Sequence, residues 1–444
     1  PADNQVRLDI AYDFAAAGFW SEAIEILQAG DRAALDGSLP LLHYAIGYFH
    51  GRRGDAAQSA ASYAEAAHAP PDYCFPRRLE ELLVLQAAIK ANPRDARAPY
   101  YLGNLLYDRR RHREAIALWE KSARLDGSFS VVWRNLGIAY FNVRNDATKA
   151  RRAFDKALKA NASDARVLYE RDQLCKRLGD APEKRLAELE KFPQLVDSRD
   201  DLTVELCALY NQTGQHEPAL RRVEARKFQP WEGGEGLALG QHVRTHLALG
   251  RIALAKGDAS EARRLFELAL VSPENLGEAK HLLANQSDIY YWLGMACHAG
   301  KDRAAAKKWW LAAASSRGDF QEMSVKSFSE MTYFNALALE QLGKKTQARK
   351  LLRELLAYAS QLMKSEAKID YFATSLPAML LFNDDLQKRN TITSRFLQAQ
   401  ANLGLGKIAT GQRLLKQVLK DDRNHAMAAD LLSQLDSPAR KRRR

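Results

Sequence analysis

Leu249-Gly250-Arg251-Ile252-Ala253, followed by Gly257, Ala262, Phe266, Ala269 and Pro273, is the stretch on which the fold turns. Its apolar and small residues recur at helical spacing on both sides of Gly257, which reads as two helices joined by a tight turn. Gly250 leaves room for the second helix to approach closely, and Ala262, twelve residues on, is the matching small contact. Phe266, four residues later, lies on the same helix face and fills the space beside it. Gly257 closes the turn in a left-handed conformation, and Pro273 stops the second helix.

The pattern repeats. Trp292-Leu293-Gly294 leads to Gly300, Ala306, Trp310 and Ala313, and Tyr101-Leu102-Gly103 leads to Tyr107, Ala115 and Trp119. Trp133, Leu136-Gly137 and Tyr140 lead to Ala150, Phe154 and Ala157 with one residue inserted at the turn, and Ile46-Gly47 leads to Gly54, Tyr63, Ala66 and Pro71. Five copies in phase resemble the tetratricopeptide repeat, whose period is about 34 residues. Weaker copies surround Gly18, Gly179, Gly214, Gly343 and Gly406. The expected fold is an all-α, right-handed superhelical solenoid of about ten tetratricopeptide-type hairpins. Extra helices are expected around Arg77–Ala91 and Lys368–Arg389, with a capping helix near His425–Leu435.

Composition agrees. Apolar residues make up 46% and charged residues 27% of the 444, so a folded chain is expected rather than a disordered one. Period-two strand patterns are nearly absent. Net charge is +12, but five positive charges lie in Arg440–Arg444, leaving about +7 elsewhere. That balance argues against nucleic acid as the partner. The cluster Arg109-Arg110-Arg111-His112-Arg113 has no alternating aromatics for base stacking and reads as a solvated turn. Cys74, Cys175, Cys207 and Cys297 are widely spaced within apolar helical patterns, which reads as buried free thiols in a reducing, cytoplasmic compartment. No apolar run is long enough to span a bilayer, so no membrane association is expected. The chain begins Pro1-Ala2-Asp3 without Met, which points to a fragment of a longer protein.

The expected organisation is a regular array over 1–226, an array with longer helices over 227–436, and a disordered basic tail over 437–444. At the junction stands Phe228-Gln229-Pro230-Trp231-Glu232-Gly233-Gly234-Glu235-Gly236, which no repeat rule requires. A second unusual loop, Ser272-Pro273-Glu274-Asn275-Leu276-Gly277-Glu278, falls at the matching turn one repeat later. Trp231 with Glu232, Glu235 and Glu278 makes a polar loop site suited to a sugar or a cationic group. Alternatively, Trp231 plugs the junction while the glycines turn the chain. These two loops also resemble the C-terminal region of certain large bacterial proteins, strongest over Lys227–Phe382. In those proteins tetratricopeptide repeats follow a β-rich domain similar to galactose mutarotases. The resemblance implies a missing N-terminal β domain as one possible partner and a setting in carbohydrate metabolism, and it brings no catalytic residues.

Chemistry is sparse. There is no phosphate loop, no nucleophile elbow and no H-E-x-x-H. His242 and His246 share a helix face, but a third metal ligand would have to come from Glu235 or Glu278, and no metal or other cofactor is expected. The first helix of each hairpin lines the groove of such solenoids. In tetratricopeptide domains that clamp a peptide's C-terminal carboxylate, Asn and Lys/Arg on successive first helices do the gripping. Asn104, Asn135 and Arg166 match that pattern, whereas Tyr100 and Glu170 stand where Lys and Arg are expected. A less specific peptide groove would use Arg97, Tyr100, Asn104, Arg134, Asn135 and Arg166; a solvated, unoccupied face is the other reading of these residues. The function expected is a non-enzymatic scaffold for a protein or peptide partner, the C-terminal module of a larger bacterial protein. The alternative is an accessory domain of a carbohydrate-active or sugar-sensing protein whose Trp231 loop meets a sugar or the β domain.

Overall fold

In a computed structural model, residues 3–29, 37–316, 318–321, 324–367 and 381–436 are described. Ten helix hairpins follow one another among them. The first five are α1 (Asn4–Ala16) with α2 (Trp20–Gln28), α3 (Leu39–Arg53) with α4 (Ala56–His68), then after a lone α5 (Leu79–Ala91), α6 (Arg97–Asp108) with α7 (His112–Leu125), α8 (Ser130–Asn142) with α9 (Ala147–Ala160), and α10 (Ala165–Arg177) with α11 (Pro182–Leu189). After the short α12 (Pro193–Asp197) come α13 (Asp200–Gln212) with α14 (His216–Ala225), α15 (Leu237–Ala255) with α16 (Ala259–Leu270), α17 (Ser287–Ala299) with α18 (Arg303–Ser315), α19 (Met331–Gln341) with α20 (Lys345–Leu362), and α21 (Leu386–Gly404) with α22 (Ile408–Asp421). The last helix, α23 (Ala426–Asp436), covers the apolar end through Ala428 and Leu431.

The glycine–aromatic pairing that organises the sequence is a packing contact in the fold. A Cβ placed on Gly47 would lie 2.7 Å from the Tyr63 ring, on Gly103 2.4 Å from Trp119, and on Gly137 2.5 Å from Phe154. At Gly250 and Gly294 it would lie 2.3 Å from Phe266 and Trp310. Each ring therefore occupies the volume that a larger residue would need, which sets how closely the two helices approach. The last hairpin reverses the arrangement: Gly411 on its second helix faces Leu403 on its first.

Most turns use glycine as expected, for example Gly54 at φ 86° and Gly257 at φ 88°. Three do not. Gly300 has φ −76°, and the left-handed residue there is Lys301 at φ 66°; Arg110 and Asn145 take that place at the turns after α6 and α8. One element has no counterpart in the sequence reading. A two-stranded antiparallel hairpin, β1 (Asp319–Gln321) with β2 (Ser324–Lys326), joins α18 to α19, and its three-residue strands are too short to show a period-two pattern.

The chain divides into two compact units, Pro1–Val167 and Leu168–Arg444, rather than at 226/227. The reason is visible at the Trp231 loop. One core joins Val204, Cys207, Ala219 and Val223 before the loop to Phe228, Ala238, Leu239 and Leu276 after it, so the chain passes the loop without a break in packing. The extra helix expected near Arg77–Ala91 is α5. Residues 368–380 of the second expected extra helix, and the basic tail 437–444, lie outside the described residues. All four cysteines are free and buried, as their placement in the sequence implies.

Candidate functional site

The six groove candidates lie in the first unit, on α6, α8 and the first turn of α10. Asn104 stands one residue after the Gly103 that seats Trp119, and this neighbourhood organises the site. The Trp119 indole N–H donates to the Tyr100 carbonyl at 3.2 Å and to Asn104 Oδ1 at 3.1 Å. Asn135 Nδ2 donates to the same Asn104 oxygen at 3.1 Å, and Arg134 donates to Asn135 Oδ1 at 3.3 Å. Two donors on one oxygen fix which way the Asn104 amide faces, because a flipped amide would set N–H against N–H. The Asn104 NH2 group is thereby turned toward the Tyr100 hydroxyl, whose pKa it lowers against the rise from burial, and the side chain is only half-buried.

The remaining candidates divide into framework and surface. Tyr100 is buried, its ring edge-on to Phe129 at 4.8 Å, and burial pushes its hydroxyl pKa up. It supports the site rather than lining it. Arg97 lies over the Phe129 ring at 3.6 Å and meets Asp126 at 3.4 Å, so its guanidinium is engaged within the unit. Arg166 is exposed on the first turn of α10. The structure therefore joins Asn104, Arg134 and Asn135 into one network backed by Tyr100, and places Arg97 and Arg166 around it in separate surroundings.

The loop candidates have a different arrangement. The loops 226–236 and 272–278 interlock: the Phe228 N–H donates to the Asn275 carbonyl at 2.7 Å, and Asn275 Nδ2 donates to the Val223 and Arg226 carbonyls at 2.9 and 2.8 Å. Gly277, at φ 71°, lies so close to the Phe228 carbonyl that a Cβ would approach it to 2.7 Å. Trp231 is half-buried against the core that spans the loop, with its indole laid over Gly234. Glu278 accepts from the N–H groups of Gly236 at 2.6 Å and Leu239 at 3.0 Å, capping the start of α15. Both of its oxygens are thus engaged at a helix N-terminus, where negative charge is favoured. Glu232 and Glu235 are exposed.

His242 and His246 are buried with ring centres 4.3 Å apart. His242 Nε2 meets the Leu268 carbonyl at 3.1 Å, and His246 Nδ1 meets the His242 carbonyl at 2.9 Å. No group of three or more metal-ligating side chains suited to an ion occurs among the described residues. No described helix is long and apolar enough to cross a membrane.

Two polar features of the second unit are not evident in the sequence. Arg185 is almost wholly enclosed, donating to Asp172 through two bonds of 3.0 and 2.5 Å and to Glu205 at 2.6 Å. Lys176 completes the cluster at 2.9 Å from Glu205. Burial lifts the Asp172 pKa to about 6 against the pull of Arg185, whereas Lys176 and Arg185 overcome the same burial at Glu205 and hold it at about 2. Arg185 stands four residues before the core residue Leu189, and a charge at that spacing was the available signal.

The second feature is the seat of α23. Arg244 on α15 donates to both oxygens of Asp430 at 3.1 and 2.8 Å, with Arg251 at 3.9 Å. Gln212 donates to the Arg423 carbonyl at 2.9 Å, and Arg185 to Asn424 at 2.6 Å. Within this unit the last helix thus lies against α13 and reaches α15 through the ion pairs of Asp430 with Arg244 and Arg251.

Residues 82–128 match the tetratricopeptide repeat family. That span runs from α5 through α7 and includes Asn104 and Trp119. Among solved structures, YrrB, described as a TPR protein with an unusual peptide-binding site, is 20% identical over 49% of this chain and 97% of its own, with a TM-score of 0.32. A tetratricopeptide repeat protein from Parabacteroides merdae is 18% identical over 66% of this chain and 98% of its own, with a TM-score of 0.28. A chain of the Naa15/Naa10 complex bound to HypK-THB is 13% identical, covering 86% of this chain and 58% of its own, with a TM-score of 0.38.

Proposed function

We propose that this chain is a non-enzymatic protein-interaction scaffold whose first unit holds a peptide segment of a partner along α6, α8 and the first turn of α10. The observation that supports this reading is the fixed Asn104 amide. Its oxygen is taken by Trp119 and Asn135, and the N–H of its NH2 group that the Tyr100 hydroxyl does not use is the donor that a peptide carbonyl or carboxylate would take. Arg134, Asn135 and the exposed Arg166 add donors on the following helices. In the fuller form of this reading the array is the C-terminal module of a larger bacterial protein, and its groove serves assembly.

The test is selection of peptides on the full chain from a random extended library, followed by affinity measurement on the Asn104→Ala/Asn135→Ala variant. The Trp119 indole keeps its bond to the Tyr100 carbonyl in that variant, so the fold is retained. Selected peptides are expected to bind the variant at least tenfold more weakly, because a buried hydrogen-bond donor lost from a contact costs about 1–3 kcal/mol. Equal binding to both proteins would overturn the assignment of the groove.

A further inference from the structure

We infer that α5 and its neighbours form a second docking surface, shaped and charged to take an acidic amphipathic helix from a partner protein. The starting point is that α5 has no hairpin partner. It packs on α3 and α6, with Val84, Leu85 and Ala88 buried along that side. In the hairpins a second helix covers the adjoining face. On α5 that face carries Leu79 at 70% exposure and Leu83 at 54%, with Leu82 and Ile89 only half-buried. On an α-helix these residues and Gln86 lie side by side in one stripe. Phe75, just before the helix, adds a further ring at 69% exposure. Leucines this exposed on one face are unusual for a surface helix and mark an interaction site.

The surface is also concave. A cavity of about 380 Å³ opens beside the stripe, lined by Ile89 from α5, Leu102 and Leu106 from α6, and Ala117 and Leu118 from α7. A groove between helices, floored by leucines, fits the ridge of side chains on another helix. A flat or protruding apolar patch would instead suit a membrane surface.

Charge selects the kind of helix. Glu80 is answered by Arg78 at 3.0 Å and Glu114 by Arg111 at 2.5 Å, so the acids at the rim are neutralised. Lys90 at the far end of the stripe, and Arg110 in the turn next to the cavity-lining Arg111, are exposed and have no acidic partner among the described residues. An incoming helix with leucines on one face and glutamates along its flanks satisfies both the groove and these cations. This surface is separate from the Asn104 network, so the two assignments stand or fall independently.

The experiment uses the full chain and a fluorescein-labelled, 18-residue helical peptide of leucine, glutamate and alanine, with leucines at i, i+3, i+4 and i+7 spacing. Fluorescence anisotropy is expected to show saturable binding. Leu79→Glu/Leu83→Glu and Lys90→Glu/Arg110→Glu should each weaken it at least tenfold, and a peptide with lysine in place of glutamate should bind at least tenfold more weakly. Asn104→Ala/Asn135→Ala should leave it unchanged. All four altered surface positions are exposed, and unchanged thermal unfolding verifies that the variants fold. The assignment is overturned if the peptide does not bind saturably, if the lysine peptide binds equally well, or if Leu79→Glu/Leu83→Glu has no effect. It is also overturned if the patch instead drives self-association abolished by Leu83→Glu in sedimentation, or takes up phosphatidylserine-containing vesicles in place of the peptide.

Discussion

Gly250 and Phe266 show how a single missing Cβ sets the geometry of a hairpin. The ring lies where a methyl group on residue 250 would be, at 2.3 Å. Such a contact cannot be relieved by a flexible chain end, because the ring is itself fully buried. Gly250→Ala is therefore expected to destabilise the chain by about 1–3 kcal/mol through overpacking, although alanine is the better helix former. Denaturant unfolding measures this, and Phe266→Leu in the same chain should recover part of the loss. A neutral or stabilising Gly250→Ala would mean that the pairing is not what holds the two helices at their distance. Gly257, by contrast, faces open space, and its requirement is conformational: at φ 88° a side chain would strain the backbone.

At the scale of the element, Glu278 is the instructive case. From the sequence it reads as a carboxylate beside Trp231, available to a ligand. In the fold it caps α15 from a loop about forty residues away, a role that local capping rules do not reach because they look for the cap next to its helix. Glu278→Ala is expected to cost roughly 1–2 kcal/mol, since the start of α15 loses both the acceptor for two N–H groups and a favourable charge. Hydrogen exchange should locate the effect in the first turn of α15 and in the loop 226–236. Exchange that rises uniformly over the second unit would contradict a capping role. The groove residues show the reverse. Asn104 and Asn135 stand out in the sequence by their places on successive first helices, and those places put them in one hydrogen-bonded network. What spacing could not reveal was that Arg97 would turn onto Phe129 and Asp126 and that Tyr100 would be enclosed.

Across the second unit the buried ionisable groups make stability depend on pH in two opposing ways. Burial, reinforced by neighbouring His246, lowers the His242 pKa to about 4, and burial also lowers those of His216, His246 and His425. The folded chain favours neutral imidazole, so the unfolded chain takes up protons first as pH falls. The stability from His242 is full above about pH 6.5 and is lost toward pH 4, by about 1.4 kcal/mol per pH unit within that window. Burial lifts Asp172 and Asp288 to about 6, and these act in the opposite sense, losing their contribution as pH rises through 6. The two opposing senses overlap in pH, so the histidine is read by difference. The stability gap between wild type and His242→Gln is expected to shrink between pH 7 and pH 4.5 in thermal unfolding. A gap that stays constant would show that His242 does not titrate in this window.

The repeat itself was determined by the sequence alone. Close helix approach needs a small residue opposite a large one, and both are visible as Gly and an aromatic sixteen residues apart, or seventeen where the turn has an extra residue. The ten hairpins, the extra helix α5, the capping helix and the burial of the four cysteines followed from the same local periodicity, whereas the short α12 did not. Tertiary structure alone decided where the compact units divide, that Glu278 caps the start of α15, that Arg185 is enclosed among Asp172 and Glu205, and that α23 returns to Arg244. Apart from Asp172, which shares a hairpin with Arg185, the partners in these contacts lie outside the residue's own hairpin, some nearly two hundred positions away. Periodicity records what a helix presents to its neighbour in the hairpin. It does not record which distant side chain closes a charge or caps a helix end, because such a contact is set by how successive hairpins stack in space.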